Sequence, residues 1–467
     1  MSQVAPASGI RFENSPLLII GGGAAGLCAA LSATETGAEV VVLERDVLPA
    51  GSTALSAGLI PAAGTRFQRA KAIDDSPQVF AVDVQRKASD EADPELVQAI
   101  CAGARMTIEW LADRYGFPFE VIDNFNYAGH TAHRMHGLPT RSGAELIDRL
   151  RAAAETAGIT ILTSTRVTTL FADPDGRVRG VACLRGSQEE RIGCAALILA
   201  CNGYGGNRAL VRRFIPEMAD ATYFGHPGNQ GDAVLWGEQL GADLRSLSGY
   251  QGHGSLATPH GILITFAVIS EGGFQINRDG RRFSDESLGY SEQAAEVLRQ
   301  PDGLAFDVFD ERIAGVARQF PDFRNAESAG AVVRADSPDE LATRIGVPAA
   351  ALIEELSEVE RCTVRGQPDR FGRSFAGVKR LVAPYHAVKV TGALFHTQGG
   401  LAVTPDARVR RTDGTPFPNL FAAGGAAVGL SGSSAKGYLS GNGLLTATVL
   451  GRIAGIAAAR SRAADVA

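Results

Sequence analysis

The stretch PLLIIGGGAAGLCAALSATETGAEVVVLE, residues 16–44, decides the fold. It opens on an apolar run at 16–20 with the length and make-up of a buried strand. GGGAAG at 21–26 follows, then an Ala/Leu-rich helical run to about Gly37, then AEVVVL ending at Glu44. A lone G-x-G-x-x-G says little. Set between a strand and a helix, with an acidic residue about twenty positions on, it reads as a dinucleotide-binding turn. Gly21 makes the tight turn, Gly23 lets the backbone approach a pyrophosphate, and Gly26 lets helix and strand pack closely. The free N–H groups of the helix N-terminus face the phosphates. Glu44 accepts bonds from ribose hydroxyls.

The rest of the chain is ordinary soluble protein. Its 467 residues predict two or three domains. Net charge is −6 and no basic run interrupts it, which excludes a nucleic-acid surface. The six cysteines form no CxxC, so they read as reduced and mostly buried, and the expected location is cytoplasmic. The first fifteen residues lack the basic start and apolar core of a signal peptide. GILITFAVI is too short to span a bilayer. The longer GLLTATVLGRIAGIAAA is interrupted by Arg452, so a buried helix is expected there and no membrane span.

Beyond Glu44 the pattern predicts helices near 92–115 and 143–157 and strands near 159–162 and 166–171. DPDGR at 173–177 is a turn joining the last of these to VRGVACL as a hairpin. AALILACNGYGG is a buried strand running into a glycine turn. From about 246 the texture changes to short mixed elements with no second dinucleotide fingerprint, and from 385 the glycine-rich strand–turn–helix texture returns. The expected domains are therefore residues 1–245 and 385–467 together, with 246–384 inserted.

Several blocks together resemble the fumarate reductase/3-ketosteroid dehydrogenase family of flavoproteins. They are ERDVLPAGSTALSAGLIPAAG, ACNGYGGN, NQGDAVLWGEQLGA, NLFAAGGAA and SGNGLLTATVLGRIAG. The resemblance implies an α/β fold. A Rossmann-type FAD-binding domain, glutathione-reductase-like, would carry an inserted α+β substrate (cap) domain. It also implies non-covalent FAD, since no well-placed histidine lies near Ser52. Carried over residue by residue, the cofactor contacts are Gly21, Gly23, Ala25, Gly26, Glu44 and Arg45. Gly51, Ser52 and Thr53 would meet the phosphates, and Ser56, Ala57 and Gly58 would run beneath the isoalloxazine. Val167 would read adenine through its backbone. Asn202 and Gly203 would form a turn where the family usually has A-T-G-G, with Asn202 replacing threonine. Asp232 would lie near the ribityl chain, and Gly424 in the L-Y/F-A-A-G turn, whose usual next polar residue is here Gly425. His396 would also lie at the cofactor, and Asn442, Leu444 and Leu445 would turn a helix N-terminus toward the flavin pyrimidine.

The same resemblance sets the register on the substrate side. EGGFQINRDGRRFSDES is similar to the family's G-x-R-F-x-N-E block, and FHTQGGL to H-T-M-G-G-L. Fumarate reduction uses arginines, whose planar forks match carboxylates. Here the T-E-A-x-R relay reads Thr265-Phe266-Ala267-Val268-Ile269, the donor arginine is Tyr290, and the carboxylate-clamping arginine is Tyr438. His253, Thr265 and His396 remain as substrate contacts, joined by Asn442. The substitutions instead resemble 3-ketosteroid Δ1-dehydrogenases: RFSDESLGY matches R-F-x-N-E-x-x-x-Y, and YLSGN loosely matches Y-P-G-x-G, with Asn442 for the last glycine. That implies a desaturase. Tyr438 and a backbone N–H would hold a ketone oxygen, Tyr290 would take the α-proton, and the β-hydrogen would leave as hydride to flavin N5. The alternatives are a fumarate-reductase-like ene-reductase on an unsaturated acid and a non-catalytic flavin electron carrier.

YAGHTAHRMHGLPTRSG at 127–143 tempts a metal reading through its H-x-x-H-x-x-H spacing. No carboxylate in the run completes a site and the chemistry needs no metal, so none is expected. Two readings stay open: a structural loop, or one whose His133 and Arg134 bind an anionic group of a small cyclic ketone such as 4-oxocyclohexanecarboxylate. A 3-ketosteroid is the larger alternative. The electron acceptor would be oxygen, a quinone or another carrier.

Overall fold

The computed structural model describes all residues except 1, 13, 14, 125 and 467. The chain divides into two compact units. The first is Met1–Pro216, Gly225–Tyr250 and His396–Ala467, and the second is Glu217–Phe224 with Gln251–Phe395.

The first unit is built on a six-stranded sheet. Its order is Arg408–Arg410, Pro416–Ala422, Ala196–Leu199, Leu17–Ile20, Val40–Leu43, Thr160–Leu162. All neighbours are parallel except the first pair. Leu17–Ile20 and Ala196–Leu199 are buried at every position, which is why they read as unbroken apolar runs. The glycine turn leads directly into the helix Ala24–Thr34. A Cβ on Gly26 would collide with the carbonyl of Gly21, and one on Gly21, at φ +108°, with that of Ala200. Only glycine permits this closeness.

Two further sheets belong to this unit. The expected hairpin is present as Thr165–Ala172 with Val178–Arg185, but the sheet has four strands. Gln3–Pro6 adds to it in parallel beside Thr165–Ala172, a strand the opening sequence did not suggest. The second departure is Met135–Gly137. This stretch lies in the expected loop yet forms the central strand of a small sheet between Ile60–Pro61 and Glu120–Val121.

The apolar C-terminal segment follows from packing. Asn442–Ser461 is long and apolar enough to cross a membrane, but 67% of its apolar window is buried inside the protein. A Cβ on Gly451 or Gly455 would strike the backbone of Ala25 or Ala29, so this helix lies directly against Ala24–Thr34. A π-helical turn, Thr446–Leu450, interrupts it. Thr446 and Thr448 hydroxyls donate to the carbonyls of Asn442 (2.9 Å) and Leu444 (2.8 Å).

The second unit holds a mixed sheet around the long strand Tyr385–Thr397. That strand pairs with Leu304–Asp310 and Val332–Ala335 antiparallel and with Thr222–Tyr223 parallel. This pairing carries the second unit to Phe395, past the texture change at 385, and recruits Glu217–Phe224 from earlier in the chain.

Candidate active site

In the first unit the glycine turn, residues 44–58 and the C-terminal helix form a cradle. Glu44 accepts from the N–H of Gly22 (2.7 Å) and of Asp46 (2.8 Å). Burial pushes its carboxyl up, against the pull of those two bonds. Each oxygen keeps a lone pair for a ribose hydroxyl. Thr53 Oγ1 accepts from Ala24 N–H (3.1 Å), tying the 51–54 turn to the helix start. Gly23 offers that helix no side-chain cap, so its remaining N–H groups are left for an anion. Ser52 Oγ accepts from His226 N–H (3.2 Å) and Asn229 Nδ2 (2.9 Å), and Arg45 donates to the carbonyl of Gly228. A loop at 226–229 is thereby laid along residues 45–52. Ser56 Oγ donates to Thr53 O (2.7 Å) and accepts from Gly58 N–H (3.2 Å), shaping the exposed turn at Ala57.

Val167 sits at a register irregularity in its strand, which frees backbone groups from the ladder. Asn202 and Gly425, both departures from the family pattern, are explained together. Asn202 adopts φ +65° and accepts from Gly203 N–H (2.8 Å). Its Oδ1 then fills the space where a Cβ on Gly425 would go, a point 2.9 Å from His396 Nε2. The polar group moved from one side of the turn to the other. Gly424 touches Ala25 in the same cradle. Asp232 opens the helix Asp232–Leu240, and its carboxylate already accepts from Ser2 Oγ of the N-terminal strand. The helix Asn442–Leu445 starts after Gly441 without a side-chain cap, and Leu445 is core.

The 127–143 segment supports this unit differently from the anion-binding expectation. Arg134 is fully buried and its guanidinium is committed to Asp75 (3.0 Å) and Asp83 (2.5 Å), stacked on Phe80. It has no fork left for a substrate carboxylate. It donates also to His130 Nδ1 (3.3 Å), so His130 Nε2 carries the proton and donates to the carbonyl of Ser440 (3.0 Å). A buried ionic pair thus pins the backbone two residues past Tyr438. His136 is held separately, by Thr65 Oγ1 (2.8 Å) and the Arg134 carbonyl (2.9 Å). His133 is half-buried, and its backbone carbonyl accepts from Gln68 (2.9 Å).

In the second unit four rings stack in series. Phe224 lies on Phe395 (4.7 Å), Phe395 on His253 (5.3 Å), and His253 on Tyr290 (4.9 Å, 21° between planes). Phe266 closes the edge against Tyr290 at 5.5 Å. His253 Nδ1 accepts from Ser255 N–H (3.1 Å), and burial pushes its pKa down to about 3, so it is a neutral Nε2–H donor. Thr265 Oγ1 lies 3.4 Å from Ala267 N at the start of a short helix, and Ile269 is core. The segment bearing Tyr290 is pinned by Arg282, which makes a two-pronged bond to Glu286 (2.9 and 2.7 Å) and a further ion pair to Asp369. Burial alone would raise the Glu286 carboxyl, but Arg373 and Arg282 hold it below the usual range. The R-F-x-x-E block is therefore an internal ion pair, and Tyr290 follows it as the first residue of the helix Tyr290–Leu298.

Sequence reasoning missed Gln398 and Ser431. Gln398 Nε2 donates to His396 Nδ1 (2.8 Å), Ser431 Oγ to Gln398 Oε1 (2.8 Å), and Asn442 Nδ2 to Ser431 Oγ (3.4 Å). The only signal was Gln398 standing where the family block has methionine.

Fold and cradle together define a flavin-dinucleotide oxidoreductase. The uncapped helix starts at Ala24 and Asn442 fit FAD, as does Asn442 Oδ1, buried without a protein partner. Residues 17–444 match the family described as "FAD binding domain", and the chain belongs to it. It is 30% identical over 454 residues to a probable fumarate reductase of Shewanella frigidimarina, covering 96% of this chain and 75% of that one. Among solved structures it matches the open conformation of a flavocytochrome c3 fumarate reductase (TM-score 0.81, 28% identity, 98% of this chain and 80% of that). It also matches the 3-ketosteroid-Δ4-(5α)-dehydrogenase of Rhodococcus jostii RHA1 (TM-score 0.79, 26% identity, 98% and 100%). The protein is an FAD-dependent oxidoreductase of the fumarate reductase/ketosteroid dehydrogenase family, whose members act on carbon–carbon bonds.

Proposed function

We propose that the protein desaturates an uncharged cyclic ketone next to its carbonyl. The observation that carries this reading is the aromatic stack on Tyr290, with Phe266 and Ile269 where a dicarboxylate reductase would need a glutamate and an arginine. Neither can move a proton or clamp a carboxylate. His253 is neutral and Arg134 is spent on Asp75 and Asp83, so a ring without a carboxylate fits better than 4-oxocyclohexanecarboxylate.

In this reading Tyr438 and the backbone near Asn442 donate to the ketone oxygen. Donors aimed at the developing enolate are each worth ~3–4 kcal/mol in a water-excluded site. Tyr290 takes the α-proton. An unperturbed phenol is a poor base at neutral pH. FAD, held by the helix starts at Ala24 and Asn442, would supply the acceptor for the hydride equivalent leaving the β-carbon, and oxygen, a quinone or another carrier would take the two electrons on. The cysteines, free among the described residues, support a cytoplasmic location.

A second reading runs the same residues backwards, with Tyr290 giving its proton to an α,β-unsaturated ketone. The reductase relatives favour it. One experiment separates the readings. Purified flavoprotein is mixed anaerobically with saturated ring ketones, with succinate, and, after chemical reduction, with enones. Bleaching by saturated ketones supports desaturation. Reoxidation by enones alone supports the reverse. Bleaching by succinate alone removes the tyrosine argument, and no response to any of them returns the electron-carrier alternative.

A further inference from the structure

Two residues that depart from the family blocks, Gln398 for methionine and Asn442 for glycine, are joined through Ser431 to His396. All three linking residues are at most 2% exposed. Gln398 is also fixed at its backbone. Its N–H donates to Gly249 O (2.8 Å) and its carbonyl accepts from Gly429 N–H (2.7 Å). A carboxamide nitrogen only donates, so Nδ1 of His396 must accept and the ring proton sits on Nε2.

The chain of bonds has one other self-consistent direction. With both amides turned over, His396 Nδ1–H would donate to Gln398, Gln398 to Ser431, and Ser431 to Asn442. The two directions give His396 opposite tautomers. What selects between them is the far end. In the direction present, Asn442 Oδ1 is a buried acceptor without a protein partner. A buried acceptor in that state costs about 1–3 kcal/mol until a donor reaches it. The pyrimidine of a flavin offers one N–H donor, at its imide nitrogen, between two carbonyl acceptors that would suit the opposite direction, so the group that meets Asn442 sets the direction of the chain.

We propose that the Asn442–Ser431–Gln398 chain is a tautomer selector. With a cofactor N–H on Asn442 Oδ1, it holds His396 as an Nε2–H donor, and Gln398 is the positioning residue. The donor role toward a substrate oxygen rests on the ketone reading above. The tautomer does not.

The test is a long-range proton–nitrogen NMR spectrum of the FAD-loaded protein labelled at histidine nitrogen, with His396 assigned from a His396→Asn sample. The expected result is a single Nε2–H form for the wild type and a mixture for Gln398→Met and for Ser431→Ala. Each variant should keep its full complement of FAD. An Nδ1–H wild type, or variants with an unchanged ring, overturns the proposal. Turnover is read separately: Gln398→Met should lower kcat about 5-fold with KM little changed, the preference one neutral hydrogen bond confers. If the NMR result holds and no ketone is turned over, the ketone reading has failed and the selector has not.

Discussion

The segments carrying Tyr438 and Tyr290 are both pinned by a wholly buried arginine placed between two carboxylates, but the two pins are built differently. Arg282 lies on the same segment as its tyrosine and reaches Glu286 at i+4. It shares that carboxylate with a second arginine, Arg373 at 3.2 Å. Arg134 is remote from Tyr438 in sequence. It binds Asp75 and Asp83 and passes its hold through one imidazole, His130, to one carbonyl, Ser440. Tyr290, the proposed base, lies on a segment held by a redundant ionic cluster, and Tyr438, the proposed oxygen donor, on one that Arg134 reaches through a single link. A buried ion pair adds little net stability over apolar packing, yet breaking one is costly. In this molecule such pairs fix where a working side chain stands.

The largest expected effect follows from that difference. Removing an arginine from a buried pair strands its partners, at about 3–5 kcal/mol. Arg134→Met should reach this range, because it strands Asp75, which has no other ion-pair partner among the described residues, and leaves Asp83 only the half-exposed Arg86. Arg282→Met strands Asp369 but should cost less, because the buried Arg373 still faces Glu286. Urea unfolding of the two FAD-loaded variants measures the order, and a more damaging Arg282→Met would break the redundancy argument.

Next come the tyrosines themselves. Tyr290→Phe keeps the ring stack and the packing but loses the proton-moving oxygen, and should lower turnover of a ring ketone ~10²–10⁴-fold with FAD retained. Tyr438→Phe should lower it ~10²–10³-fold, as for loss of one donor at a developing oxyanion. Near-normal turnover of Tyr290→Phe would remove that residue from the mechanism.

The single link predicts a smaller loss that is local. His130→Ala removes one buried hydrogen bond and leaves the Ser440 carbonyl unpaired, about 1–3 kcal/mol. Amide hydrogen exchange should quicken in the peptide covering 438–442 and stay unchanged at 282–290. His130→Gln, which still donates, should restore part of the protection. Equal exchange in both peptides would mean that His130 only packs.

The two pins were not equally visible in the sequence. Arg282 and Glu286 sit inside one short block, so the resemblance carried the register of Tyr290 directly. The FAD cradle was open to reading for the same reason: glycine turn, helix start and Glu44 are neighbours in the chain, and much of what they do is backbone geometry. The partners of Arg134 lie more than fifty residues earlier, and nothing local distinguishes an arginine bound for a buried pair from one that clamps a substrate. Gln398 and Ser431 were hidden likewise, and with them the link to Asn442, because that hydrogen-bond chain crosses three separate parts of the sequence. The strand Gln3–Pro6 was missed because its support comes from distant parts of the chain, by pairing with Thr165–Ala172 and by the Gln239 side chain accepting from Val4 N–H.

The smallest effect expected is a graded one with pH, and it separates the units again. His130, His136 and His396 in the first unit are neutral, each with its pKa pushed down to about 4, first by desolvation. In the second unit His253 is pushed down to about 3. There, however, Asp307, with one oxygen unpartnered, is pushed up to about 7 by burial. A histidine whose folded pKa is depressed contributes its full stability above the unfolded value near 6.5 and loses it as pH falls toward the folded value, at up to ~1.4 kcal/mol per pH unit. A carboxyl whose folded pKa is raised acts oppositely. Its contribution is full below the unfolded value near 3.8 and is lost as pH rises toward 7. Between pH 6.5 and 4.5 the first unit therefore loses stability through three histidines, set against one raised carboxyl, Glu44, while in the second Asp307 offsets most of the loss from His253 and the smaller one from His386. Acidification from pH 7 to 5 should speed exchange in first-unit peptides and release FAD before second-unit peptides respond. Asp307→Asn should remove the balance and make the second unit acid-sensitive as well. If both units loosen together in the wild type, the opposing titrations do not set the order of unfolding.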